Sequence, residues 1–132
     1  MRTVTINLFF VIVLLACLAG CGSDLRVSTI QLGRSLNNDK TVASHTTTFT
    51  PTETVYVAVI TAGAGSGTIG VRWEYEGRVM GEPKKEVSYQ GGEATEFHLQ
   101  SAGGFPVGDY SVEVFLNGQS AGKRTFRVEN SR

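Results

Sequence analysis

Two cysteines and two histidines are the strongest nucleophile, base and ligand candidates in this 132-residue chain. Cys21 closes the run Leu18-Ala19-Gly20-Cys21. A thiolate is a good nucleophile, and small residues before it suit a peptidase that must take an extended backbone into a narrow site. His45 sits in a Ser/Thr-rich stretch, and His98 falls on the outward face of a predicted strand. No His-Glu-x-x-His, paired cysteine or Asp-rich calcium loop accompanies them, so both read as surface histidines. No serine stands in a nucleophile-elbow context. Glu74, Glu76, Glu82 and Glu86 could supply an acid/base pair, but their positions fit solvated strand faces and turns. Ala62-Gly63-Ala64-Gly65-Ser66-Gly67 lacks the Lys-Ser/Thr and the following helix of a phosphate loop. The expectation is a chain with no catalytic residues, no metal and no cofactor, whose one chemical event falls on Cys21.

The elements around Cys21 agree with that. Arg2 supplies a positive n-region, and Leu8 to Ala19 is an apolar run of signal-peptide length, short of the roughly 20 residues needed to span a bilayer. Leu18-Ala19-Gly20-Cys21 resembles the lipobox of bacterial lipoproteins. The resemblance implies diacylglycerol on the thiol, cleavage between Gly20 and Cys21, and acylation of the new amino group with fatty chains of the palmitate kind. At about 0.8 kcal/mol per buried methylene, two or three such chains hold a protein stably in one leaflet. The alternatives are a plain secretory signal with a coincidental cysteine, or a single-pass anchor. Gly22 stands where an Asp tends to retain lipoproteins at the inner membrane. By that resemblance the destination is the periplasmic face of the outer membrane, if the host has one. Residues 1–20 are then a signal peptide, with a precursor helix over roughly Val4 to Ala19. Residues 21–26 are the lipidated cysteine and tether, and 27–132 a folded domain.

Cleavage leaves 132 − 20 = 112 residues, enough for one domain with a core. This part keeps 11 of the 12 Lys+Arg and all 12 Asp+Glu, a net of −1. With no basic stripe, nucleic acid is not an expected partner. The domain has no cysteine of its own, because Cys17 is removed and Cys21 carries lipid, so it must rest on apolar packing.

That packing reads as β throughout. Short runs rich in Val, Thr, Tyr and Phe are separated by glycine turns, and no helical period persists after Cys21. Strands are predicted over Val27 to Leu32, Glu53 to Thr61, Thr68 to Tyr75, Arg78 to Met80, Glu86 to Tyr89, Glu93 to Gln100, Tyr110 to Leu116 and about Ala121 to Glu129. Thr41 to Phe49 is ambiguous. Ala62 to Gly67, Gly81 to Lys85 and Ser101 to Gly108 read as loops. Ile69, Val71, Trp73 and Tyr75 share one face, which predicts a buried Trp73 against Tyr110 to Leu116. Asn117-Gly118 is a type I′ hairpin signal. Phe115 is the one large apolar side chain on an otherwise polar face. It could join Tyr56 and Ile60 in a contact patch, or be covered by a loop or the N-terminal segment.

Pro106-Val107-Gly108-Asp109-Tyr110, Asn117-Gly118 and Phe126-Arg127-Val128 together resemble the C-terminal part of bacterial immunoglobulin-like domains. The resemblance implies an antiparallel β-sandwich of about seven strands with a tyrosine corner at Tyr110. The expected role is a lipid-anchored, non-catalytic binding or structural module of the cell envelope, with an envelope protein or glycan as partner and the three loops as contact sites. The alternative is an inhibitor or accessory subunit of an envelope enzyme, using the same loops to plug a cleft. A small hydrolase is a more distant third.

Overall fold

The computed structural model describes residues 24–131. The expected precursor helix, the expected cleavage position at Gly20 and Cys21, the expected site of lipidation, lie outside them. Nine strands follow in order: β1 (Arg26–Gly33), β2 (Thr48–Phe49), β3 (Val55–Ala62), β4 (Gly65–Tyr75), β5 (Arg78–Gly81), β6 (Lys84–Tyr89), β7 (Glu93–Leu99), β8 (Gly108–Leu116) and β9 (Gln119–Val128). One sheet runs β1-β3-β7. The other runs β2-β9-β8-β4-β5, and β6 takes the rest of the same edge of β4 as β5.

The alternation along each strand explains the sandwich. Val55, Val57 and Val59 of β3 face Ile69, Val71 and Trp73 of β4 and Val112 and Val114 of β8 across one apolar core. Burying each such side chain contributes about 1.5–3 kcal/mol. Trp73 is 1% exposed and pairs in register with Val112. Its ring meets Phe126 edge-on at 6.1 Å, and Phe126 stacks on Tyr110 at 5.2 Å. Phe49 and Phe105 close the core at the end where β1 finishes and β8 begins.

The predicted strands sit within two or three residues of the observed ones, and three segments differ. Thr41 to Phe49 yields only the two residues of β2, paired parallel with β9. Backbone bonds from Arg127 N–H to Thr47 O and from Glu129 N–H to Phe49 O, both 2.8 Å, hold it there. Ahead of it, Asp39 accepts from the Thr41 N–H at 3.0 Å and ties a tight turn. Ala62 to Gly67 is not a loop: β3 runs to Ala62, β4 starts at Gly65, and only Gly63-Ala64 turns. The glycines there are strand because β6 pairs with them, from Gly65↔Tyr89 to Gly70↔Lys84. Gly81 to Lys85 shrinks to a corner at Glu82-Pro83, whose Pro83 carbonyl accepts the Val71 N–H at 3.0 Å. Ser101 to Val107 is a loop as expected.

The sheet edges are guarded. The Lys85 ammonium donates to the Glu96 carbonyl on the outer edge of β7. Register shifts interrupt the β1–β3 pairing at Val27/Thr29 and the β4–β5 pairing at Trp73/Glu74. Such bulges and charges discourage edge-to-edge pairing.

Candidate functional site

Most of the side chains singled out in the sequence take structural posts. The Tyr110 hydroxyl donates to Pro106 O at 2.6 Å, which makes the expected tyrosine corner. Gly108 holds φ at +148°, and a Cβ there would strike the Glu76 carboxylate and the Tyr75 ring. That Glu76 oxygen accepts the Asp109 N–H at 3.0 Å, so Gly108 lets the β4–β5 turn and the start of β8 lock together. Burial, with Tyr75 and Glu76 nearby, pushes the Tyr110 phenol up to about 12.

His45 and His98 do not converge. His45 forms an isolated bridge with Gly33. His98 is exposed on the outer face of β7, with Nδ1 3.0 Å from Glu96 Oε2 and its ring 5.7 Å from Tyr56. Among the described residues no group of three or more His, Cys, Asp or Glu could hold a metal ion. Glu74, Glu82 and Glu86 lie along the β4–β6 region without forming a carboxylate pair. Glu74 meets Lys123 at 3.8 Å and Glu82 meets Arg72 at 2.8 Å.

Phe115 does not join Tyr56 and Ile60. Register places Gly70 and Phe115 side by side on the outer face of the larger sheet, and Tyr56 and Ile60 on the outer face of the smaller one. Among the described residues no loop covers Phe115. It lies across the side-chain-free Gly70, and the Arg72 guanidinium carbon sits 4.9 Å from its ring centroid.

This is the floor of a cleft of about 430 Å³, where a ring, two cations and a carboxylate lie together. The Glu82-Pro83 corner and Lys84 form one wall, and the Asn117-Gly118 hairpin forms the other. Both walls are fixed. Asn117 takes φ +51° and Gly118 φ +82°, the two positive values that a type I′ turn requires. Asn117 Oδ1 accepts the Thr68 N–H at 2.9 Å, and the Asn117 N–H donates to Thr68 O at 2.8 Å. Arg72 Nε donates to Glu82 Oε1 at 2.8 Å, and Arg72 Nη1 lies 3.8 Å from Glu113. The Glu82 bond first, then the surrounding carboxylates, raise the Arg72 pKa, so it is a permanent cation. Gly70 gives the Lys84 stem its path, since a Cβ there would sit 3.2 Å from Lys84 Cγ.

Sequence reasoning found Phe115 and missed the cleft. Gly70 in a strand of bulky alternating residues is the only local sign of it. Pairing it with Phe115 requires the β4–β8 register, which no short-range turn sets.

No protein-family model matches the chain, and no curated protein matches it. Its fold is matched among solved structures. An immunoglobulin-like protein from Pseudomonas aeruginosa superposes with a TM-score of 0.56 at 12% identity, covering 83% of this chain and 100% of that one. A β-glucosidase from Listeria innocua in complex with glucose matches with a TM-score of 0.50 at 12% identity, covering 81% of this chain and 16% of that one. The chain thus spans a small part of the glucosidase. At such identities the likeness speaks for architecture alone: the domain is an immunoglobulin-like β-sandwich.

Proposed function

We propose that this protein is a lipid-anchored cell-envelope module that binds or supports a partner and carries out no reaction of its own. The observation that carries the reading is the placement of Leu18-Ala19-Gly20-Cys21 immediately ahead of the domain, since β1 begins only five residues after Cys21. Five residues reach at most about 18 Å. Lipid on Cys21 therefore brings the Gly63-Ala64 and Asn117-Gly118 turns toward the membrane, because Arg26 pairs with Ala62 at that end. The opposite end, with the Glu76-Gly77 turn and the Ser101 to Val107 loop, then faces away from it. A disulfide-free sandwich with a continuous apolar core suits this post, as it needs no oxidising help to fold.

The inhibitor or accessory-subunit alternative needs protruding loops to enter a cleft. Two of its three expected loops, Ala62 to Gly67 and Gly81 to Lys85, are mostly strand with tight turns, which favours the module reading.

Mass spectrometry of the full chain made in a bacterial host tests the proposal. The expected product begins at Cys21 and carries two or three acyl chains, while Cys21→Ser stays uncut at Gly20 and takes no lipid label. A mature wild-type protein with a free thiol on Cys21 overturns it.

A further inference from the structure

We infer that the cleft between the Glu82-Pro83 corner and the Asn117-Gly118 hairpin binds a neutral sugar ring of a glycan, an inference that deepens the binding-module reading and rests on it. The cleft is within the usual range for small-ligand sites, about 300–1,000 Å³, and its chemistry narrows the occupant. An anion is poorly served, because Arg72 already lies between the carboxylates of Glu82 and Glu113. A metal ion is poorly served too, since Glu82 is the one carboxylate in the lining and its oxygen is bonded to Arg72. A wholly apolar ligand would meet one phenyl ring surrounded by charges. Burying an apolar molecule there would desolvate those charges without return.

A pyranose fits what is left. Its C–H face can lie against the part of the Phe115 ring that lines the cleft beside the Arg72 guanidinium. Its hydroxyls both donate and accept, and the surrounding groups offer both: the Arg72 guanidinium and the Asn117 side-chain Nδ2–H donate, and the Glu82 oxygen not bonded to Arg72 accepts. The Lys84 ammonium has no ion-pair partner among the described residues and can donate to a ring hydroxyl. One acid and two bases line the cleft, so it presents no strong single-sign field to a neutral ligand. The hydrogen bonds that tie Asn117 to Thr68 and Arg72 to Glu82 hold these groups in place before any ligand arrives.

The test is a titration of the full chain made in a bacterial host, ¹⁵N-labelled in detergent micelles, with cellotetraose, maltotetraose and the N-acetylglucosamine tetramer as probes. At least one probe is expected to bind with a Kd of about 1 mM or tighter. It should shift the Arg72 Nε–H, Asn117 amide and Gly70 signals saturably and leave the Tyr110 corner unmoved. Phe115→Ala and Lys84→Met should each weaken it by roughly fivefold or more. Lys84→Met serves as the variant whose fold is not in question, since Lys84 is exposed. No shift from any probe at about ten times that concentration overturns the inference. So do shifts that both variants leave intact. Mass spectrometry on the same sample separates the readings. Lipid on Cys21 with no sugar response sinks the sugar site alone, and a sugar response without lipid sinks the anchor alone.

Discussion

β4 and β8 share seven register pairs and show two unlike faces. Inward, Ile69, Val71 and Trp73 lie beside Leu116, Val114 and Val112, and every one but the half-buried Leu116 is 2% exposed or less. Outward, Gly70, Arg72 and Glu74 lie beside Phe115, Glu113 and Ser111, and the ladder extends to Ser120 and Lys123 on β9. The backbone ladder is common to both, so any difference in energy belongs to the side chains. Dispersion and apolar burial act inside, where packing is dense and one lost methylene is felt. Screened charge acts outside, where single pairs stabilise little. Carrying stability on one face leaves the other free to hold a spare phenyl ring, a glycine gap and a row of paired charges.

The contrast is broken most severely at Trp73. Trp73→Ala should destabilise by about 3–5 kcal/mol, a large part of the roughly 5–15 kcal/mol that a domain of this size has. Urea denaturation reads it. A midpoint unchanged from the wild type would place the stability of this strand pair on its outer face.

Tyr110 lies at the end of the same inner row, and it makes the comparison depend on pH. Its folded pKa of about 12 stands above the unfolded value of about 10. Burial, then the neighbouring Tyr75 and Glu76, disfavours the phenolate, so the folded state holds the proton more tightly than the unfolded chain does. Its contribution is therefore complete below about pH 10 and lost as pH rises through about 12, on the order of 3 kcal/mol in all. Tyr110→Phe removes that alkaline limb and, at neutral pH, costs about 0.5–1.5 kcal/mol for the lost hydrogen bond. Denaturation midpoints at pH 7 and pH 11 check both. A variant as stable as wild type at pH 7 that binds its partner less well would move Tyr110 from scaffold to recognition.

The inner face was legible because it obeys a short rule. Alternation along Thr68 to Tyr75 and Tyr110 to Leu116 names the core residues, and Asn117-Gly118 and Pro106 to Tyr110 name the turn and corner by their local chemistry. What stayed hidden depends on partners far along the chain. The glycines of Ala62 to Gly67 read as loop until β6 supplies their ladder. Thr48-Phe49 becomes strand only through a parallel pairing with β9, about 80 residues away. The outer-face cleft was hidden for the same reason. Phe115, Gly70 and Lys84 are unremarkable in sequence and become a site only in register. The expectation at Cys21 rests wholly on local sequence and lies outside the described residues.

The smallest expected effect is on the outer face, and it tests whether that face is free of a structural duty. Glu113 sits in the middle of the ladder, 3.8 Å from Arg72 and accepting from the Ser120 hydroxyl at 2.6 Å. Glu113→Gln keeps the shape and an acceptor for Ser120 while removing the charge. An exposed ion pair contributes about 0.2–1 kcal/mol, so the loss should stay below about 1 kcal/mol. It should also shrink with salt, because at about 1 M the screening length falls to about 3 Å, shorter than the pair. Denaturation in low and high salt separates two outcomes. A small, salt-sensitive loss leaves the outer face as a surface whose charges are arranged for something other than stability. A loss of several kcal/mol that salt does not touch would make the ladder part of the scaffold. Arg72 would then stand over Phe115 to hold the sheet, and the division between the two faces of β4 and β8 would fail.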